Sequence, residues 1–82
     1  MLRVTVEFWG PARDVAKTES TVLELDEGAC LGDVRRMLQS RNPQLDVGLR
    51  SMRLAVHEAF AADAHPMKNG DVVAVIPPVS GG

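Results

Sequence analysis

The sequence predicts an α+β fold, a mixed sheet of about four to five strands with one main helix across one face. Three observations lead to this prediction. Apolar and polar residues alternate in several short segments, one longer segment repeats its apolar residues at intervals of three and four, and Gly or Pro separates the segments. No repeat, linker or low-complexity tract divides the 82 residues, so a single core is expected.

Four segments are predicted to be strands. In the first, the apolar residues from Leu2 to Phe8 alternate with polar ones and so share one face. The last is apolar without alternation, which is typical of a central strand covered on both faces or of a strand beside a partner. Residues 10–20 are expected to form a loop with a helical turn near residues 14–17, and residues 59–67 give too few periodic signals for an assignment. The predicted strands span residues 2–8, 21–26, 52–56 and 72–76.

The main helix is predicted over residues 31–41. Leu31, Val34 and Leu38 recur at helical spacing and mark its buried face. Cys30 occupies the position of a capping residue, with Asp33 where a capping box places its acidic side chain. Asn-Pro follows the helix and stops it, residues 44–50 are expected to be irregular, and residues 69–71 have the composition of a tight turn.

Charge and composition exclude several classes of function. With 9 Lys and Arg against 11 Asp and Glu, and 4% aromatic residues, the chain lacks the basic surface of a nucleic-acid-binding protein. A domain of this size leaves little room for a deep enzyme pocket. Cys30 with His57 and His65 forms no zinc-binding pattern, and the apolar run at residues 72–79 is too short to span a membrane. We expect a protein of the reducing cytoplasm that binds neither nucleic acid, membrane nor metal.

The last six residues are predicted to form a tail beyond a domain of residues 1–76. Two prolines favour an extended backbone, and an extended segment of this length reaches roughly 20 Å, enough to enter a partner's buried site. Gly81 and Gly82 carry no side chains, so a narrow channel would admit them. A frayed terminus behind two strand-ending prolines would have the same composition. The tail consists of Pro77, Pro78, Val79, Ser80, Gly81 and Gly82.

The terminal carboxylate is the group that such a tail would present for chemistry. A carboxylate is a poor acyl donor and needs activation, for example as an acyl adenylate. The chain has neither a GxxxxGK[ST] loop nor a GxGxxG turn, so we expect it to bind no cofactor of its own and any ATP to be used by a partner. The chain is therefore interpreted as a substrate or carrier that is not catalytic alone.

The carboxyl-terminal segment resembles that of the small subunit of molybdopterin synthase, a family of sulfur carriers. The resemblance rests on a Gly-Asp turn, an apolar strand and the ending Pro-Pro-Val-Ser-Gly-Gly. It implies a ubiquitin-like β-grasp fold, whereas periodicity alone would also permit other α+β rolls. Further matches are the strand ending at Phe8, Arg13-Asp14, the strand at residues 23–25, the helix containing Asp33, Ala55-Val56 and His65-Pro66.

The resemblance implies a sulfur carrier in molybdenum cofactor biosynthesis. In that family the carboxylate of the last glycine, here Gly82, is adenylated by a ubiquitin-activating-like enzyme and converted to a thiocarboxylate. The loaded tail then enters the large subunit and gives its sulfur to cyclic pyranopterin monophosphate. The partners implied are this adenylyltransferase, a sulfur donor protein and the large subunit, the last in a heterotetramer of two small and two large chains.

Family matching also implies that Phe60 and Ile76 face these partners. The alternatives are core packing for Ile76 and a peripheral core contact for Phe60. Trp9-Gly10-Pro11 departs from the family's usual sequence after the first strand, in a place that bears on partner choice. Two other functions stay open: sulfur delivery to thiazole or amino-acid synthesis, and a ubiquitin-like modifier joined through Gly82 to lysines of target proteins. A plain interaction domain with an incidental Gly-Gly ending is the remaining alternative.

Overall fold

Five strands and two helices form the described part of the chain. The computed structural model describes residues 1–41, 43 and 53–76. The predicted irregular segment at residues 44–50, Met52 and the tail at residues 77–82 lie outside this part. In chain order the elements are β1 Leu2–Phe8, α1 Pro11–Ala16, β2 Ser20–Leu25, α2 Leu31–Arg41, β3 Arg53–Val56, β4 Ala59–Phe60 and β5 Val72–Ile76.

The five strands form one mixed sheet in the order β2-β1-β5-β3-β4. β1 pairs antiparallel with β2, and β3 pairs antiparallel with both β4 and β5. β1 and β5 run parallel, with Phe8 opposite Val75. Because β5 lies between β1 and β3, the last strand in sequence occupies the centre of the sheet.

One face of this sheet packs against α2. Leu31, Val34 and Leu38 on the helix are fully buried, as the helical periodicity predicted, and belong to the same cluster as Phe8 and Val73 on the sheet. Burying each such side chain stabilises the fold by roughly 1.5–3 kcal/mol. The alternation in β1 is confirmed as well, because its apolar positions are buried while the polar ones face away from the core.

The start of α2 follows the predicted capping pattern. Oδ2 of Asp33 accepts the backbone N–H of Cys30 at 2.8 Å, and the thiol of Cys30 lies 3.5 Å from the same oxygen. These hydrogen bonds, the backbone one above all, lower the pKa of Asp33, and Arg36 pairs with the same carboxylate. The next N–H groups of the helix donate to carbonyl oxygens of residues 63 and 65, which fixes that loop over the helix end.

The segment after β1 is more helical than predicted. α1 begins at Pro11 and ends at Ala16, so it starts before the expected turn at residues 14–17. Proline ends a helix when it is internal, but it suits the first helical position, where its missing N–H has no intrahelical partner. Lys17, with a φ of 60°, closes the helix in the left-handed conformation. The second strand, predicted over residues 21–26, is observed at Ser20–Leu25.

The sequence did not predict the short fourth strand, β4. Val56 pairs with Ala59, so His57 and Glu58 form a two-residue hairpin turn, and both have positive φ, 52° and 66°. Such turns favour Asn-Gly or Asp-Gly, a signal that His-Glu does not carry. β4 itself has only two residues, too few to show a period. The predicted turn at residues 69–71 is confirmed, with Gly70 at a φ of 89° and its N–H donating to the carbonyl of Arg3.

Candidate functional site

The sheet face away from α2 carries an open groove of about 650 Å³. Four strands contribute to it, because the groove runs across β1, β5, β3 and β4 and includes the hairpin turn. Most of its surface is apolar. The lining residues are Glu7, Trp9, Ala55, His57, Glu58, Phe60, Val72, Ala74 and Ile76.

The registers of the strands place four of these residues in one row across the sheet. Glu7 pairs with Ala74, Ala74 with Ala55, and Ala55 with Phe60. Side chains in such a row point to the same face, with neighbouring strands about 4.8 Å apart. The two alanines form a low floor, and the larger side chains of Glu7 and Phe60 stand at its ends.

The alanine floor is distinct from the core. Ala55 is only 3% exposed, yet it is absent from the core cluster that includes its neighbours Leu54 and Val56. Val73 and Val75 of β5 face the core, whereas the alternate residues of that strand line the groove. The interpretation of β5 as a central strand is therefore confirmed. Its second face, however, is covered only in part.

Phe60 and Ile76, the two residues expected at a partner interface, lie in this same groove. The Phe60 side chain is 58% exposed, and the guanidinium of Arg53 lies 4.9 Å from its ring centre. Ile76 is half-buried. Neither residue belongs to the core cluster or to the partly buried residues packed against it. Among the described residues, the core cluster therefore gives no support to core packing of either side chain, and their place at a partner interface stays a prediction.

Sequence reasoning did not assign Glu7, Trp9 or the two alanines to a site. The Trp9 side chain is 54% exposed at the end of β1, and its backbone N–H donates to the carbonyl of Val75 at 3.2 Å. The alternation of β1 contained the signal, since odd-numbered positions from Arg3 onward point away from the core. Ala74 could not be assigned from sequence because a small apolar residue in an apolar run suits either face.

An ionisable pair borders the groove at the hairpin turn. Nε2 of His57 lies 2.8 Å from Oδ1 of Asp71, while Oδ2 accepts the backbone N–H of Lys68 at 2.7 Å. Burial of Asp71 opposes its ionisation, but these hydrogen bonds and the charges of His57 and His65 outweigh it and lower the pKa of Asp71. The carboxylate thus ties the hairpin turn to the loop before β5. His57 and His65 are exposed.

The tail residues Pro77, Pro78, Val79, Ser80, Gly81 and Gly82 lie outside the described residues. Their point of attachment, Ile76, is described and lines the groove, so the tail begins directly after a groove residue. Within residues 1–41, 43 and 53–76, no cluster of His, Cys, Asp or Glu has the composition of a metal site. No helix in the same part of the chain is long and apolar enough to cross a bilayer.

The sequence model of the ThiS family matches residues 6–82, nearly the whole chain. The chain belongs to this family. Among curated ThiS-family relatives, the molybdopterin synthase sulfur carrier subunit of Chlamydomonas reinhardtii is 30% identical, and the match covers 99% of this chain and 100% of that one. The resemblance to the small subunit of molybdopterin synthase, which the sequence indicated, is therefore confirmed.

Solved structures of ThiS-like proteins share the fold. Subunit 1 of the molybdopterin converting factor of Pyrococcus furiosus superposes with a TM-score of 0.88 at 26% identity, covering 96% of this chain and 100% of that one. A chain of the complex of subunits 1 and 2 of the Helicobacter pylori factor matches with a TM-score of 0.76 at 29% identity, covering 99% and 100%. Together with the strand order, these similarities confirm the predicted ubiquitin-like β-grasp fold.

Proposed function

We propose that this ThiS-family chain is the sulfur carrier subunit of molybdopterin synthase. The observation that carries the proposal is the similarity, at 30% identity over 99% of this chain, to a molybdopterin synthase sulfur carrier subunit that is itself covered completely. The Gly-Gly ending agrees with it, because a carrier of this kind needs a terminal carboxylate on a segment without bulky side chains.

The proposed chemistry takes place at Gly82. An adenylyltransferase uses ATP to convert the carboxylate to an acyl adenylate and releases pyrophosphate. A sulfur donor protein then delivers sulfur at the oxidation level of sulfide, which attacks the acyl carbon, displaces AMP and yields a thiocarboxylate. The carrier gives this sulfur to cyclic pyranopterin monophosphate in the active site of the large subunit, and water hydrolyses the acyl group so that Gly82 returns to the carboxylate.

The carrier itself contributes recognition to this cycle. Two consecutive prolines favour an extended backbone, so the pair at Pro77 and Pro78 would lower the entropy lost when the tail enters a partner. We place the partner interface on the groove that contains Phe60 and Ile76, since exposed apolar surface next to the reactive tail is the feature that two successive enzymes could share. We propose the heterotetramer with the large subunit as the working assembly, and the cytoplasm as its location because Cys30 is a free thiol.

Intact-mass spectrometry tests the proposal directly. After incubation with ATP, the adenylyltransferase and a sulfur donor, the wild-type chain should gain mass equal to the replacement of one oxygen by sulfur. The loaded chain plus the large subunit should then convert cyclic pyranopterin monophosphate to molybdopterin. An unchanged mass would contradict a sulfur-carrier role. Loading without conversion would favour another sulfur pathway, and isopeptide conjugates on target lysines would favour a modifier.

A further inference from the structure

The groove on the outer sheet face carries negative charge within an apolar surface. Glu7 and Glu58 are the acidic residues among the described residues that line it, and His57 is the third polar one. Nε2 of His57 is already engaged by Asp71, and the nearby Arg53 lies over the Phe60 ring outside the lining. A partner that covers this groove therefore meets the carboxylates of Glu7 and Glu58, while Arg53 lies at the Phe60 edge and not beside Glu7.

Glu7 is the carboxylate closest to the floor. It stands in the same row as Ala74 and Ala55, one strand spacing of about 4.8 Å from Ala74. Among the described residues it forms no ion pair, although the neighbouring Arg13 is paired with Glu19. In the isolated domain, the charge of Glu7 is therefore solvated by water.

Covering an unpaired carboxylate is unfavourable unless the partner supplies a hydrogen-bond donor or a positive charge. The alanine floor adds a steric condition, because it leaves a trough between Glu7 and Phe60 that a long side chain can fill. Arg and Lys satisfy both conditions, since their aliphatic stems lie along apolar surface while the charged head reaches an acidic group. An acidic or purely aliphatic side chain satisfies at most one.

We propose that the partner places an Arg or Lys side chain across Ala74 and Ala55, with its charged head paired to Glu7. This inference rests on the proposed function in one respect, that the partner is the large subunit of molybdopterin synthase. It adds the chemistry of recognition: Glu7 selects the basic partner residue, and the two alanines provide the space for its stem. Glu7 is thus a specificity-determining residue of the docking surface.

Charge variants of Glu7 test the proposal in binding measurements with the purified large subunit of the same organism. Glu7→Gln should weaken binding roughly fivefold and Glu7→Lys by about 50-fold or more, because like charges then face each other. Glu7→Gln should also reduce the salt dependence of the affinity between about 0.05 and 0.5 M salt. Glu24→Lys is the matched control, since Glu24 is exposed on the same sheet face but lies on β2 outside the groove. It should bind within about twofold of wild type.

The steric part of the proposal has its own variant. Ala74→Leu fills the trough with a side chain directed away from the core, so it should reduce binding about tenfold while thermal unfolding stays close to that of wild type. Wild-type affinity in Glu7→Lys or in Ala74→Leu would overturn the inference. Equal weakening by Glu7→Lys and Glu24→Lys would also overturn it, because the effect would then be one of net charge.

Sulfur loading separates this inference from the proposed function. If the wild-type chain gains sulfur and forms active synthase while the Glu7 variants bind unchanged, the inference fails and the function stands. If the Glu7 and Ala74 variants lose binding as expected but no chain ever gains sulfur, the docking chemistry stands and the proposed function fails.

Discussion

Asp71 and His57 join two loops that lie far apart in the sequence. The buried carboxylate of Asp71 contacts Nε2 of the exposed His57 at 2.8 Å, so the turn between β3 and β4 is linked to the residues that lead into β5. The second carboxylate oxygen accepts the N–H of Lys68, which closes the turn on itself. The wall of the groove that β3 and β4 form is therefore held at both ends. Strand pairing holds one end, and the carboxylate of Asp71 holds the other.

Replacing Asp71 should make the free energy of unfolding less dependent on pH in the acid range. The pKa of Asp71 is lowered by folding, so its contribution is complete above the ordinary carboxyl value of about 3.9 and disappears as the pH falls through the folded value. We expect Asp71→Asn to cost about 1–3 kcal/mol at pH 7 from the lost hydrogen bonds. The difference from wild type should shrink below about pH 4 in thermal unfolding between pH 7 and 2. A constant difference across that range would contradict the assignment.

Glycine in place of Glu58 should stabilise the hairpin turn between β3 and β4. Glu58 has a φ of 66°, a conformation that costs an ordinary residue about 1–2 kcal/mol, whereas glycine adopts it freely and loses about 0.5–1 kcal/mol through its greater entropy when unfolded. Glu58→Gly should therefore raise the free energy of unfolding by about 0.5–1 kcal/mol, measured by denaturant titration. Gly70→Ala, at a φ of 89°, is the reverse control and should lower it. Destabilisation by Glu58→Gly would show that the Glu58 side chain supports the fold.

A charge at Phe60 should remove partner binding and spare the fold. The Phe60 side chain is 58% exposed and outside the core, so Phe60→Asp should change stability by no more than about 0.5–1 kcal/mol. Affinity for the large subunit should fall by about 30-fold or more, as for an aromatic residue at the centre of an interface. Val22→Asp, a substitution at an exposed apolar residue of β2, is the matched control and should bind as wild type. Equal loss in both variants would argue against the groove as the interface.

Removing Gly82, or adding one residue after it, should abolish sulfur transfer without unfolding the domain. The reactive carboxylate would be displaced by one residue from its place in the partner's site. The terminal residues of a domain contribute little to its core, so the melting temperature should be nearly unchanged. The readouts are intact mass after the loading reaction and thermal unfolding of each variant. A large drop in melting temperature would mean that the tail is structural.

The sequence predicted the elements whose residues repeat regularly. Leu2–Phe8 and Leu31–Arg41 match their predicted bounds, since each has enough residues for its apolar positions to define a face, and Val72–Ile76 matches as a continuous apolar run. It did not predict β4 at Ala59–Phe60, whose two residues are specified by pairing with β3 and by a turn without glycine. Strand order was likewise left open, because pairing of β1 with β5 joins residues far apart in the chain.

The candidate site could be predicted only in part. Phe60 and Ile76 were singled out through the family resemblance, and the structure places both in one groove. Ala55 and Ala74 contribute by being small, and a small residue has no signature of its own in a sequence. Their role depends on the register that brings them side by side between Glu7 and Phe60.

The central position of β5 has a mechanical consequence under the proposed function, in which the tail enters and leaves other proteins. Tension applied beyond Ile76 acts along β5, which is hydrogen-bonded to β1 on one side and to β3 on the other. The force is then shared as shear among all of these hydrogen bonds, and none of them is peeled away singly as at a sheet edge. Under the proposed function, the domain would therefore resist unfolding from Ile76 each time the tail is inserted and withdrawn.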